Sequence, residues 1–162
     1  MDNLKIDTYL KIIFFVCLIS IFSAYFIEYV LGHQPCNLCL IERIPYGLGM
    51  ILIILNFILV KNTRIIVLLL FMIFVFSLIV SLYHIGIEQD FFEESAVCRS
   101  IDSSNIISKE ELMKQLPLKN VSCKDVTFRI FGFSLTSFNI IISLILVIFL
   151  SKIFKNYDKF KK

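Results

Sequence analysis

The chain has 162 residues, 58% of them hydrophobic and 18% charged, against about 45–50% and 25% in ordinary soluble proteins. A soluble domain of this length buries only about 70% of the surface its unfolded chain exposes, so it could not hide this much apolar side chain. A mean hydropathy of +0.86 excludes a disordered chain for the same reason, and a net charge of +3 with no basic cluster on a folded face gives nucleic-acid binding no support.

In chain order, four apolar runs stand out. They extend over residues 12–31, 44–60, 65–87 and 130–150. Each has the roughly 17–25 residues that a helix needs to cross about 30 Å of hydrocarbon. They are continuous rather than alternating, which favours helices over a barrel. The expected fold is an all-α membrane protein, a four-helix transmembrane bundle forming a single integral membrane domain over 1–162. Lys5 and Lys11 precede the first run, but it is longer than a signal-peptide core and lacks a small-residue cleavage site, so it reads as a span.

The connections differ in charge. Lys61-Asn62-Thr63-Arg64 is a tight basic turn, and Lys152, Lys155, Lys159, Lys161 and Lys162 follow the last run. Basic short segments prefer the cytoplasm. This places both termini inside, with the loops at about 32–43 and 88–129 on the outer, periplasmic side. The long loop holds eight acids and six bases. Within it, Ser108 to Leu116 reads as one short helix. Ser108 and Glu111 form its capping box, and Leu112, Met113 and Leu116 form an apolar stripe for the membrane or for the loop itself.

Four of the five cysteines avoid the apolar runs. Cys36-Asn37-Leu38-Cys39 is a C-x-x-C at the outer mouth of the second span, and Cys98 and Cys123 lie in the long loop. Loops one and three of a four-span chain share a side, so all four face one compartment. Cys17 falls mid-span and is expected to be inert. If the second span begins near Cys39, that sulfur sits at a helix N-terminus, where unpaired N–H groups favour a thiolate. Arg43, one turn on, adds positive charge or else anchors the chain at the headgroups. Cys98 and Cys123 read equally as a staple, which would stabilise the loop by about 3–4 kcal/mol, or as a redox pair. A zinc site with His33 is the weaker reading, because the second pair is not C-x-x-C and an oxidising compartment favours disulfides. Tyr83-His84-Ile85-Gly86-Ile87-Glu88 closes the third span. His84 and Glu88, four apart, share a face that either serves a function or simply reaches headgroup water.

Pro35-Cys36-Asn37-Leu38-Cys39-Leu40-Ile41-Glu42-Arg43-Ile44-Pro45-Tyr46 resembles the C-x-x-C-x-x-x-R signature of the DsbB family of disulfide bond formation proteins. The segment Tyr83 to Glu88, Cys123, Phe131-Gly132-Phe133-Ser134 and Asn139 resemble one branch of it; the complete absence of Trp is a departure. The resemblance implies an inner-membrane thiol oxidase that reoxidises a DsbA-like periplasmic dithiol protein and passes the electrons to ubiquinone or menaquinone. It implies that Cys36 and Cys39 are the quinone-linked pair and that Cys98 and Cys123 meet the partner, with Cys98 taking the mixed disulfide. It also implies that Arg43 lies beside the quinone and Cys39, and that His84 borders the quinone headgroup. No metal is implied.

The energetics agree with that order. A DsbA-type oxidant lies near −120 mV and structural disulfides below roughly −300 mV, so a staple-like bond would be about 8 kcal/mol too stable to oxidise such a partner. The partner-facing bond must therefore be strained, exposed or coupled to a downstream acceptor. Two other protein classes share part of this pattern. A vitamin K epoxide reductase-like quinone oxidoreductase has four helices and a C-x-x-C, but in that family the motif adjoins the last span. A structural tetraspan with a stapled outer loop leaves Cys36 and Cys39 unexplained.

Overall fold

The computed structural model describes residues 3–59, 63–93, 98, 122–124, 128–130, 132–155 and 157. The expected helix over 108–116 lies outside them. Helix α1 spans Asn3–Tyr29, α2 Asn37–Ile41, α3 Ile44–Leu59 and α4 Thr63–Glu88. A two-stranded hairpin follows, β1 Arg129–Ile130 and β2 Phe133–Ser134, and then α5, Leu135–Lys155. Four helical segments are long and apolar enough to cross a membrane: Ile6–Tyr29, Asn37–Ile58, Thr63–Glu88 and Leu135–Lys155. The protein is a four-helix membrane bundle.

The first two spans begin earlier than expected, at Asn3 rather than residue 12 and at Asn37 rather than residue 44, and the last begins later, at Leu135 rather than residue 130. Arg129 pairs with Ser134 and Ile130 with Phe133 in antiparallel register, around Gly132 at φ +86°. That backbone is one a glycine adopts without strain, so the chain turns here instead of continuing as helix. Ser134 then caps α5 by accepting a hydrogen bond from the Ser137 N–H at 3.4 Å. At the end of α4, Asp90 takes φ 61°. The Phe91 N–H bonds the Gly86 carbonyl at 2.8 Å and the Asp90 N–H bonds that of Ile87 at 3.1 Å. This Schellman arrangement ends the helix and folds Phe92 back onto Tyr83, with ring centroids 5.7 Å apart.

Helix α4 packs most extensively on α5, and α3 bridges α1 and α4. Leu10 and Ile13 of α1, Ile53 of α3, Leu70 and Phe74 of α4 and Leu150 of α5 are fully buried in one core. Gly49 allows the close approach of α3 to α4: a Cβ there would stand 3.3 Å from the Phe74 ring and 3.7 Å from the Cys17 sulfur. Apolar side chains such as Phe22, Ile58 and Phe76 remain exposed along the helices, as expected where the solvent is lipid. Near the end where α1 begins and α5 finishes, Tyr9 of α1 meets Phe149 of α5 edge to face at 5.2 Å. Toward the other end a cavity lies between these two helices.

Candidate active site

The short segment between α1 and α3 presents the C-x-x-C. Cys36 is the N-cap of α2, with extended backbone, and its sulfur accepts a hydrogen bond from the Cys39 N–H at 3.3 Å. The sequence expectation put Cys39 at the helix N-terminus. The structure puts Cys36 at the N-cap and Cys39 in the first turn, because α2 begins at Asn37, seven residues before α3. The two sulfurs stand 2.7 Å apart as free thiols. They are adjacent enough to bond by a small rotation, since a disulfide is about 2.05 Å long.

Cys98 and Cys123 form a disulfide with Cα atoms 5.3 Å apart. They are buried in one cluster with Cys36, Leu38 and Ile87, on which Cys39, Val80 and Tyr83 pack. The two cysteine pairs, expected only to share a side of the membrane, therefore share a core. The loop bond is not exposed, its cysteines being 1% and 2% accessible. Of the three conditions set by redox energetics, coupling to another pair is the one that this packing provides. Lys124, next to Cys123, donates to Asp90 at 2.6 Å at the end of α4, an exposed pair of small energetic weight.

His84 is 1% exposed. It does not reach headgroup water, and neither does Glu88, because both face the bundle interior. The Nε2 atom of His84 lies 3.5 Å from the Cys36 sulfur and 3.7 Å from Glu88 Oε1. Its Nδ1 lies 3.0 Å from Glu42 Oε1 and 3.2 Å from the Thr136 hydroxyl oxygen. Thr136 donates to Glu88 Oε1 at 2.5 Å. Asn139 donates to Glu42 Oε2 at 3.0 Å and to Ser81 Oγ at 2.7 Å, and it accepts from the Tyr46 hydroxyl. Every buried side-chain nitrogen and oxygen among the described residues has a partner, as polar groups at membrane depth require.

The cavity between α1 and α5 holds about 330 Å³, within the small-molecule range. Its walls are mostly apolar, among them Ile19, Ala24 and Ile27 of α1 and Phe138 and Ile142 of α5. The polar wall is made by Glu28, Cys39, Glu42, Arg43, Thr136 and Asn139. Neither Cys36 nor His84 lines it; Cys36 lies toward the loop disulfide and Cys39 toward the cavity. The Arg43 guanidinium donates to Glu28 at 2.5 Å and lies 4.9 Å from the centre of the Tyr25 ring. It is thus held at the cavity by α1. Glu42, Thr136 and the Glu28 partner of Arg43 carried no role in the sequence reading. Their signal was the placing of ionisable and hydroxyl groups in or beside apolar runs.

The donors of Cys36, Cys39 and His84 lie within 4.8 Å of one another, a spacing that a soft metal ion can share. The 2.7 Å between the sulfurs is shorter than the roughly 3.7 Å between two thiolates on a tetrahedral zinc at about 2.3 Å each. The arrangement suits sulfur–sulfur bonding better than metal ligation.

Residues 7–153 match the family of disulfide bond formation protein DsbB. An uncharacterized protein of Rickettsia prowazekii (strain Madrid E) is 30% identical over 143 residues, covering 85% of this chain and 81% of that protein. No solved structure matches. The chain belongs to the DsbB family. It is a multi-pass membrane protein of disulfide bond formation, with the disulfide oxidoreductase role that this family implies.

The Cys36 thiol is brought down to about 5. The hydrogen bond from Cys39 is the largest influence; burial opposes it, and the hydrogen bond and charge of His84 add to the lowering. Cys36 is then thiolate at neutral pH and becomes thiol as pH falls through about 5. In the reduced protein, alkylation of Cys36 by iodoacetamide should be half-maximal near that pH when read by mass spectrometry at its peptide. Cys39→Ala should move the midpoint upward by more than one unit, toward the ordinary thiol value of about 8.5.

Proposed function

We propose that this protein is a thiol:quinone oxidoreductase that reoxidises a DsbA-like soluble dithiol protein. One observation carries the reading: both cysteine pairs meet in a single buried cluster, and one member of the inner pair, Cys39, is also a wall of the cavity. In this account Cys98 and Cys123 receive the partner's electrons through a mixed disulfide at Cys98. Cys36 takes them from the loop pair by thiol exchange, and Cys39 presents them at the cavity. Because the loop bond is buried, docking of the partner has to uncover it before its thiolate can attack.

Ubiquinone or menaquinone, when bound, would supply the two-electron acceptor. The cavity fits such a group: apolar walls for a ring and its tail, with Cys39, Arg43 and Asn139 at the polar side. Arg43, held by Glu28 and Tyr25, would orient the acceptor and offset negative charge as it develops. The family and the basic inner segments support a bacterial inner-membrane location with both termini cytoplasmic and all four loop cysteines facing the periplasm. A single membrane domain over 1–162 suits this organisation.

The testing experiment combines the purified protein in lipid, a reduced DsbA-like partner and quinone. One quinone should be consumed per partner disulfide formed. Cys36→Ser with Cys39→Ser should allow one reduction of the loop pair without quinone consumption. Full turnover by a chain lacking Cys98 and Cys123 would show that the loop bond is only a staple. In the same assay, Arg43→Ala should raise the quinone KM roughly tenfold, equivalent to about 1.4 kcal/mol, and lower kcat. Arg43→Lys should fall between, since a point charge replaces a planar fork. An unchanged KM in Arg43→Ala would make Arg43 a headgroup anchor alone.

A further inference from the structure

Oxidising a dithiol releases two protons as well as two electrons, and the structure shows unequal routes for them. Cys39 lines the cavity, so its proton leaves directly into the space where the acceptor would sit. Cys36 does not line the cavity and is only 6% exposed. Its sulfur instead faces His84 Nε2 at 3.5 Å. Behind the ring, Nδ1 faces Glu42 Oε1 at 3.0 Å, and Glu42 is a cavity wall. We propose that His84 is the base that takes the proton of Cys36, and that Glu42 carries a proton on to the cavity, so that both protons of the dithiol arrive where the electrons are accepted. This rests on the thiol:quinone reading above.

Nucleophile, imidazole and carboxylate stand here in the order and spacing of a catalytic triad. A Nδ1–H donated to Glu42 fixes the tautomer whose Nε2 lone pair faces the thiol. The titratable groups around the ring are Cys36 on the segment before α2, Cys39 within α2 at no more than 4.8 Å, Glu42 just after α2, and Glu88 on α4 itself. From α5 it meets the uncharged Thr136. Glu88 is engaged by the Thr136 hydroxyl and does not line the cavity, so the exit runs through Glu42. Asn139 holds the other Glu42 oxygen at 3.0 Å and keeps the carboxylate aimed at the ring. The lowered Cys36 thiol agrees with a proton acceptor at its sulfur.

The step balances. Cys36 has already given its proton to His84 in the reduced protein at neutral pH, so in the step the Cys39 S–H bond breaks, one S–S bond forms between Cys36 and Cys39, and the electron pair passes to a quinone. One proton leaves Cys39 directly. The second proton, taken earlier from Cys36 and held at Nε2, stays on the ring while the Nδ1 proton leaves for Glu42. The quinone takes up two protons and becomes the quinol.

The test uses the full chain, reduced and held in lipid nanodiscs. Without quinone, His84→Gln should raise the pH midpoint of Cys36 alkylation by about one unit or more through loss of the partner charge. With quinone added, Glu42→Gln should slow single-turnover oxidation of the Cys36–Cys39 dithiol about 10²-fold, the usual scale of general acid–base assistance. Formate, a small diffusible proton carrier, should restore tenfold or more of that loss in Glu42→Gln and leave the wild type unchanged. A midpoint unmoved in His84→Gln removes the base. A Glu42→Gln chain that oxidises at the wild-type rate, or a slow one that formate does not help, removes the relay. A wild-type chain that fails to reduce quinone contradicts the thiol:quinone reading instead, and the quinone-free titration still decides the role of His84.

Discussion

The contact between Cys36 and His84, 3.5 Å from sulfur to Nε2, ties the short outer segment to the third span. Without it the C-x-x-C would hang from α2 and α3 alone. With it, Cys36 is drawn beside Ile87 at the end of α4, where the loop disulfide also packs. Cys39, three residues on, is left facing the space between α1 and α5. One hydrogen bond thus divides the motif, with one sulfur toward the loop pair and the other toward the cavity. A disulfide relay needs this division, because exchange requires direct contact between sulfurs at each transfer.

Keeping an imidazole and two carboxylates inside a bundle is costly unless each is satisfied. The protein meets that requirement with a polar seam along three helices. Ser77, Ser81, His84 and Glu88 lie along one face of α4. Thr136, Asn139 and Ser143 answer them from α5, with Ser77 and Ser143 hydroxyls 3.1 Å apart, and Tyr46 of α3 reaches Ser143 at 3.3 Å. Association of membrane helices relies on close packing and such hydrogen bonds, each modest in energy. The seam holds α4 against α5, and the same groups position His84 and Glu42. Structure and chemistry draw on one set of side chains.

Much of this was legible in the sequence for definite physical reasons. Lipid demands about twenty apolar residues per helix, so the four spans could be counted and their apolar centres placed. Three starts were not legible: α1 and the second span extend back to Asn3 and Asn37, beyond the apolar runs, and the last span starts late because of Gly132 and the hairpin around it. The seam was half legible: Ser77, Ser81, His84 and Glu88 are spaced by four, three and four, and Thr136, Asn139 and Ser143 by three and four, which is one face of a helix in each case. What spacing could not show is which face meets which. The pairing of Glu42 with His84, of Glu28 with Arg43, and of Cys36 with the loop disulfide depends on contacts between distant parts of the chain. A short motif carries no information about them. The reading of Cys39 at a helix N-terminus is right to within a turn, since the helix begins at Asn37; that Cys36 is the residue capping it was not legible, because α2 starts seven residues before the apolar run.

The central claim is that the two cysteine pairs exchange electrons by direct contact within one cluster. It is tested most directly by Cys39→Ala, which leaves Cys36 with no neighbour in its own motif to bond. The purified variant, kept free of reductant and analysed by mass spectrometry after blocking of free thiols, should contain a disulfide joining Cys36 to Cys98 or Cys123, with one loop cysteine released as a thiol. If Cys36 is recovered as a free thiol and the Cys98–Cys123 bond is intact in every molecule, the pairs do not communicate and the account is wrong.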